Sequence, residues 1–270
     1  MIFQTTTRLQ VSSNVRQTQK KGINQMTKEQ GIDLYLNTVI KEGLYSNKGK
    51  LAFKMDTLFK GIAFTNKRIL DIGGGFGLYS FYAAFRGAKK VVCLEPEAEG
   101  SSSSVIDKFH KLKNLLKCNN VELRPLTLQA FEAKGETFDV ILLHNSINHL
   151  DETACINLLR ESKAKAVYRE LFSKIYSLSN KDAKLIICDC SRYNFFSLFK
   201  IRNPMAPTIE WHKHQAPKVW ANFLGEVGFM NPRIRWSSFN RLGNWGRILI
   251  GNKFVAYFLV SHFCLTMDKP

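Results

Sequence analysis

The sequence predicts a doubly wound α/β domain in which seven strands alternate with helices. Short apolar runs along the chain are separated by longer segments whose apolar residues recur at helical spacing. Between the first two of these runs, residues 73–77 hold four glycines and lead directly into a helical segment. A strand, a glycine turn, a helix and a second buried strand form one right-handed crossover unit of a parallel sheet.

The size and charge of the chain limit its class and its partners. Its 270 residues, 45% of them hydrophobic, are enough for one large domain with a sizeable core. Lysine and arginine number 39 against 22 acidic residues, so the net charge of +17 favours anionic partners such as nucleic acid, phosphorylated metabolites or a membrane surface. The six cysteines are dispersed without metal-ligand spacing, which predicts no metal site and free thiols in a reducing, cytoplasmic compartment.

The first 28 residues differ from the rest of the chain. They are rich in Thr, Ser, Gln and basic residues, contain no acidic residue and lack the apolar core of a secretory signal. We expect residues 1–28 to form a flexible basic tail and residues 29–270 to form the domain. Two alternatives stay open, namely translation from Met26 and organellar targeting by the tail.

Periodic patterning begins near Glu29 and predicts the elements in order. Two helices lie within residues 29–66, and the helix after the glycine turn ends at Gly87. Further helices are predicted over residues 152–179 and 217–229. The predicted strands are residues 67–72, 90–96, 121–128, 137–145, 183–191, 232–239 and 254–266. The last run is shorter than the roughly 20 apolar residues of a membrane helix, so we expect one long final strand.

Three classes of ligand bind at a glycine turn between a strand and a helix, because glycines let the backbone approach closely and the helix N-terminus offers unpaired N–H groups. A nucleoside triphosphate loop would continue with Gly-Lys-Ser or Gly-Lys-Thr, whereas this loop continues with Phe76, Gly77 and Leu78. A dinucleotide loop starting at Gly73 would need its third glycine at position 78, and it would need no acid at Asp71. The spacing therefore favours a third kind of cofactor.

An acid, a glycine loop and a second acid after the next strand resemble the motifs of class I S-adenosylmethionine-dependent methyltransferases, a Rossmann-like family. The matching residues are Asp71, Gly73, Gly74, Gly75, Gly77 and Glu95. The resemblance implies that the loop wraps the methionine part of S-adenosylmethionine, that Asp71 lies near its amino group and that Glu95 accepts hydrogen bonds from both ribose hydroxyls. An ammonium, a sulfonium and a diol suit carboxylates, where a phosphate would suit a lysine.

This resemblance is detailed from residue 67 to residue 150 and looser towards the C-terminus. It implies adenine contacts at Thr127 and Leu128, although the family usually has an acid at the first of these positions and Gln129 could take its place. It also implies that Asn145 lies beside the cofactor and that His149 lies near the methyl-transfer face. The family's sheet is mostly parallel with an antiparallel last strand, and the helix and two strands at the end of this chain match that order.

Residues after the fourth predicted strand bear on the methyl acceptor. Family members that act on DNA bases or protein glutamine share an Asn/Asp-Pro-Pro-aromatic turn there, and this chain has His-Asn-Ser-Ile at residues 144–147. Methylation of a base at carbon commonly needs a cysteine, and we expect Cys188 and Cys190 to pack in the core instead. Methyl transfer to an oxygen of a small-molecule or glycan-like acceptor is the simplest expectation. An RNA methyltransferase and a non-catalytic cofactor-binding protein of the same fold remain alternatives.

Three histidines are candidates for the general base that removes the acceptor's proton, namely His149, His212 and His214. The last two lie in residues 192–216, a connection that commonly covers the acceptor in this family. Histidines in a polar loop are also often merely exposed, and His149 could instead cap a helix that begins near Asp151. Asp189 is either a ligand or a turn former at the end of its strand.

Basic residues become frequent towards the C-terminus, around an aromatic and aliphatic segment at residues 242–252. They are Arg233, Arg235, Arg241, Arg247 and Lys253. Two interpretations stay open, a patch for an anionic substrate and a solvated face.

Overall fold

A computed structural model of the chain describes residues 27–96, 104–237 and 253–270. Among the expectations above, the basic tail up to residue 26, the alternative start at Met26 and the segment at residues 242–252 with its Arg241 and Arg247 lie outside the described residues.

Seven strands form one sheet in the order β3-β2-β1-β4-β5-β7-β6. Their bounds are β1 Arg68–Ile72, β2 Lys90–Leu94, β3 Val121–Arg124, β4 Phe138–His144, β5 Ser179–Cys190, β6 Met230–Ser237 and β7 His262–Asp268. The pairs among β1 to β5 are parallel, whereas β7 runs antiparallel to both β5 and β6. The predicted mostly parallel sheet with an antiparallel last strand is confirmed.

Helices cover both faces of the sheet in the described part of the chain. Their bounds are α1 Lys28–Lys41, α2 Lys48–Leu58, α3 Leu78–Phe85, α4 Val105–Leu116, α5 Glu152–Asn157, α6 Ser162–Leu178, α7 Phe195–Leu198, α8 Pro217–Glu226 and α9 Lys253–Phe258. The two helices before β1 were predicted, whereas α4 was not. The predicted helix at residues 152–179 is two helices, because Leu158 is buried in the core and the backbone is extended at Glu161 before α6 begins. No helix among these residues is long and apolar enough to cross a membrane.

The expectation of one long strand at residues 254–266 is wrong. Residues up to Phe258 form α9, and β7 begins only at His262. Phe254 and Phe258 lie four residues apart with ring centroids at 5.0 Å, as neighbours on one helix face do. The backbone at Ser261 has a positive φ of 46°, and its N–H donates to the Ala256 carbonyl at 2.8 Å. An apolar run does not distinguish a buried helix followed by a strand from a single strand.

Two apolar clusters hold the layers together, one on each face of the sheet. In the first, Trp220 of α8 is fully buried against Tyr168 and Phe172 of α6, with ring centroids at 5.1 and 5.9 Å. In the second, Phe59 stacks on Tyr82 with centroids at 5.4 Å. The packed faces fix the carboxyl ends of β1, β2, β4 and β5 along one edge, where ligand sites of such sheets form.

We expect Trp220→Ala to lower the free energy of unfolding by about 3–5 kcal/mol, because it removes a fully buried indole from between two aromatic rings. Trp211→Ala is the matched control, since Trp211 is only half-buried and its loss should cost much less. Urea denaturation followed by circular dichroism measures both. Equal losses for the two variants would contradict this description of the core.

Candidate active site

The glycine loop follows β1 and lies against the end of β2. The N–H groups of Gly73 and Gly74 both donate to the Leu94 carbonyl, at 2.8 and 3.1 Å. A Cβ built at Gly74 would lie 2.5 Å from the Cys93 sulfur, so only glycine permits this approach. At Gly75, where φ is +54°, a Cβ would meet no described atom within 4 Å. The loop is therefore packed from behind and open at Gly75.

Glu95 lies directly after β2 and is buried. Its Oε2 accepts a hydrogen bond from the Gly75 N–H at 2.8 Å. The hydrogen bond joins the open position of the glycine loop to the carboxylate that the sequence predicts for the ribose. The two parts of the predicted motif, 20 residues apart along the chain, meet in the fold.

A cleft of about 400 Å³ opens beside Glu95 at the carboxyl edge of β1, β2 and β4. It is lined by Ile72, Gly73, Leu94, Glu95, Pro96, Leu126, Thr127, Leu128, Gln129, Asn145, Ser146, His149, Leu150 and Glu152. Seven residues named from the sequence are among them: Gly73, Glu95, Thr127, Leu128, Gln129, Asn145 and His149. The fold thus brings the segments that follow four strands, β1 to β4, together around one cavity.

Asp71 lies behind the loop and does not line the cleft. Ser80 donates its hydroxyl to Asp71 Oδ2 at 2.7 Å, and Oδ1 is buried with no hydrogen-bond partner among the described residues. The pKa of the Asp71 carboxyl is raised from 3.8 to about 7, chiefly by burial and in part by the nearby charge of Glu95, while the hydrogen bond from Ser80 opposes the shift. Two buried carboxyl groups therefore lie close to one loop, and ionisation of Asp71 is disfavoured.

The cleft fits a ligand of the predicted kind. Its described lining holds the carboxylates of Glu95 and Glu152 but neither lysine nor arginine, the side chains that a phosphate would attract. A buried carboxylate such as Glu95 can accept hydrogen bonds from a vicinal diol. The unpartnered oxygen of Asp71 gives a positively charged group near the loop a further favourable partner.

His149 lies at the end of the cleft beside the chain that follows β3. Its Nδ1 is 2.6 Å from Glu152 Oε1, and its side chain is half exposed. The carbonyl of Leu150, the residue after His149, accepts a hydrogen bond from the side-chain amide of Gln129. The alternative of helix capping by His149 is not what the structure shows, since Asp151 caps α5 through the Ala154 N–H at 2.8 Å.

Asp189, one residue before the end of β5, forms a second polar pair with His214. His214 Nδ1 is 3.0 Å from Asp189 Oδ1, and the two side chains are 12% and 1% exposed. The segment that carries His214 is anchored to α5, because the Gln215 amide donates to the Cys155 carbonyl at 2.6 Å. Asp189 thus holds a histidine rather than merely forming a turn.

The other candidates from the sequence differ in their surroundings. His212 contributes its backbone carbonyl, which accepts a hydrogen bond from the Arg192 guanidinium. Cys188 is fully buried in the core, and burial raises the pKa of both the Cys188 and Cys190 thiols. Neither thiol has the lowered pKa of a nucleophilic cysteine.

A third polar cluster at this edge, formed by His144, Tyr79 and His262, was not predicted from the sequence. His144 ends β4, and its Nε2 is 2.9 Å from the Tyr79 hydroxyl of α3. The His262 ring follows at a centroid distance of 5.8 Å from that of His144. Burial, with the charge of Lys54 adding to it, lowers the pKa of His144 well below its usual value and that of His262 to about 3. These residues are far apart along the chain, so no local motif could have revealed the group.

The chain was compared with known proteins by sequence and by structure. No protein-family model matches the chain, and no curated protein matches its sequence. Many solved structures resemble it, among them three methyltransferases that match most of its length. A methyltransferase dependent on S-adenosylmethionine from Mesorhizobium loti is 12% identical, with a TM-score of 0.54 over 82% of this chain and 98% of its own.

A methyltransferase of the same dependence from Thermotoga maritima, described as a possible histamine N-methyltransferase, is 14% identical, with a TM-score of 0.52 over 89% of this chain and 100% of its own. A provisionally assigned O-methyltransferase from Nostoc punctiforme is 13% identical, with a TM-score of 0.52 over 82% of this chain and 57% of its own. The protein has the fold of class I S-adenosylmethionine-dependent methyltransferases.

We expect Asp71→Asn to stabilise the protein increasingly as the pH rises. The folded state keeps the Asp71 proton up to about pH 7, whereas the unfolded chain releases it near the ordinary value of 3.8. The carboxyl's contribution to stability therefore falls with rising pH between these values, and a neutral amide does not titrate. Between pH 5 and pH 8 the difference in unfolding free energy should move by about 3 kcal/mol in favour of the variant.

Urea denaturation at the two pH values measures this difference. Asp56→Asn, at an exposed position on α2, controls for the loss of one carboxyl group at the same two pH values. An Asp71→Asn difference that does not change with pH would contradict the raised pKa of Asp71.

Proposed function

We propose that the protein is an S-adenosylmethionine-dependent methyltransferase that methylates a hydroxyl oxygen of a small-molecule or glycan-like acceptor. The observation that carries the proposal is the buried Glu95 carboxylate, which lines the cleft and accepts a hydrogen bond from the N–H of Gly75, the open position of the glycine loop. The fold that the chain shares with the methyltransferases named above supports the same cofactor.

Each part of the cofactor has a counterpart in this arrangement. Glu95 would hold the ribose hydroxyls, and the loop that contains Gly73 and Gly75 would hold the methionine part. Thr127 and Leu128 line the cleft where the adenine would lie, with Asn145 opposite them on the turn after β4. When bound, S-adenosylmethionine supplies a methyl group on a positively charged sulfur. Asp71 and Glu95 favour that charge, since each carboxylate gains a cation in its surroundings.

His214 is the best placed of the three candidate bases. A carboxylate can only accept hydrogen bonds, so the contact with Asp189 requires the proton of the neutral His214 ring to be on Nδ1. This tautomer leaves Nε2 free to accept a proton, and the buried carboxylate stabilises the imidazolium that results. In the proposed reaction, His214 Nε2 takes the proton of the acceptor hydroxyl while Asp189 keeps the ring oriented.

The pairing of His214 with Asp189 of β5 also places it apart from His149. Asp189 lies on β5, beyond β4 from the glycine loop, whereas His149 lies beside the chain after β3 and pairs with Glu152. By the assignment above, His149 is then at the adenine end of the cleft.

The neighbour described as a possible histamine N-methyltransferase supports an amine as the competing acceptor.

Gly75→Val should abolish binding of S-adenosylmethionine. Valine at a φ of +54° is strained, and its branched side chain would fill the open side of the loop. Gly135→Val is the matched control, because Gly135 also has a positive φ of 83° and open surroundings but precedes the amino end of β4, whereas the glycine loop lies at the carboxyl edge of the sheet. Isothermal titration calorimetry should show binding for the wild type and for Gly135→Val only. Absence of binding to the wild type would overturn the proposed function.

His214→Gln should lower kcat by about 10²–10⁴-fold, the usual contribution of a general base. Asp189→Asn should act in the same direction, and calorimetric binding of the cofactor should be unchanged in both variants. His212→Gln and His149→Gln should keep most of the activity. The assay screens hydroxylated metabolites, sugars, amines and RNA with a methyl-labelled donor.

Two outcomes of this screen would correct the proposal. Incorporation only into RNA or only into amines would contradict the choice of a hydroxyl acceptor. Full activity of His214→Gln would remove His214 from the mechanism.

A further inference from the structure

Exposed apolar side chains concentrate on one part of the surface. Among the described residues, eleven large apolar side chains are exposed, and six of them lie in two short segments. These six, Tyr193, Leu198, Phe199, Ile201, Phe254 and Phe258, are 42–71% exposed, and we call them the aromatic platform. Monomeric proteins rarely expose contiguous apolar surface of this kind without a partner.

The two segments of the aromatic platform are packed against each other. Phe195 of α7 contacts Phe258 of α9 with ring centroids at 5.3 Å, and it contacts Phe199 at 5.0 Å. Hydrogen bonds also tie the two segments together. Asn203 donates to the Leu259 carbonyl at 2.7 Å, and the Ser191 N–H donates to the Ser261 carbonyl at 2.9 Å. The two segments therefore form one packed surface, held together by ring contacts and hydrogen bonds.

Its position relates the platform to the candidate active site. The segment with α7 follows the carboxyl end of β5, and α9 precedes β7, which runs antiparallel to β5. Both segments therefore lie at the edge of the sheet that carries Asp189 and His214. Arg192 joins the two regions through its hydrogen bond to the His212 carbonyl.

The charged side chains within the two segments of the platform are all positive. Lys200, Arg202 and Lys253 are exposed, and residues 192–209 and 253–267 contain no acidic residue. Aromatic and aliphatic side chains with lysine and arginine at their border are the composition that inserts into the headgroup region of a bilayer and attracts anionic lipids. We propose that the aromatic platform docks the protein on the surface of an anionic lipid bilayer without spanning it.

The charge and the kind of side chain favour this occupant over two others. A second copy of the chain would bring like charges together, which is unfavourable for a symmetric contact. Single-stranded nucleic acid binds by stacking bases on aromatic faces. The aromatic side chains of the platform offer such faces, but the equally exposed Leu198 and Ile201 suit insertion into a bilayer and not base stacking. The proposal does not depend on the methyltransferase activity, so the two can fail separately.

The test is co-sedimentation of the full-length protein with lipid vesicles. Vesicles of phosphatidylcholine and phosphatidylglycerol in equal parts should bind the wild type, and vesicles of phosphatidylcholine alone should bind it much less. The double variant Leu198→Ser/Phe199→Ser should bind the anionic vesicles at least about tenfold more weakly, since two exposed apolar side chains lose their insertion. Leu115→Ser/Leu159→Ser is the matched control, with two exposed leucines elsewhere and unchanged binding.

A second measurement locates the contact directly. Phe199→Trp should shift its fluorescence emission to the blue with anionic vesicles, and Leu115→Trp should not. Thermal melting of every variant establishes that it is folded, and calorimetric binding of S-adenosylmethionine should not differ between the double variant and its control.

Three results would overturn the proposal. The first is no binding of the wild type to either kind of vesicle. The second is equal binding by the double variant, which would assign the attraction to basic residues elsewhere. The third is a dimer in sedimentation velocity that the double variant dissociates, which would make the platform an interface between two copies of the chain.

Discussion

The hydrogen bond from the Gly75 N–H to the Glu95 carboxylate connects the glycine loop after β1 to the acid after β2. The proposed cofactor site depends on both. The hydrogen bond holds the open position of the glycine loop against the end of β2 and leaves a charged group buried at the cleft. That charge has a cost, because it raises the pKa of Asp71, which burial already disfavours as an anion. Two carboxyl groups so close to one loop favour the binding of a cation there, because a positive charge stabilises both carboxylates.

The sheet topology explains why the cleft and the proposed base lie where they do. Strand order reverses between β1 and β4, since β2 and β3 extend to one side and β4 and β5 to the other. A crevice forms at such a reversal, and the turns that follow β1, β2 and β4 line it. Asp189 and His214 lie one strand further along, so the proposed cofactor site and the proposed base have separate residues on one edge.

Local patterns were enough to predict the fold and the glycine loop between β1 and α3. Asp71, the glycines and Glu95 lie within 25 residues, and their chemistry is legible from residue type and spacing alone. The pairing of Asp189 with His214 could not be predicted, because it depends on how the connection after β5 folds back onto α5. The contact between Tyr79 and His144 spans 65 residues and likewise follows only from packing. The final segment was predicted wrongly because an apolar run is common to a helix and a strand, and the positive φ of Ser261 leaves no mark in the sequence.

A crystal structure of the protein with S-adenosylhomocysteine, the product of methyl donation, tests the central claim most directly. The account predicts that both ribose hydroxyls donate to Glu95, with the methionine part along the loop at Gly73 and Gly75 and the adenine between Thr127 and Asn145. A ligand bound elsewhere on the chain, or a ribose that makes no contact with Glu95, would contradict it.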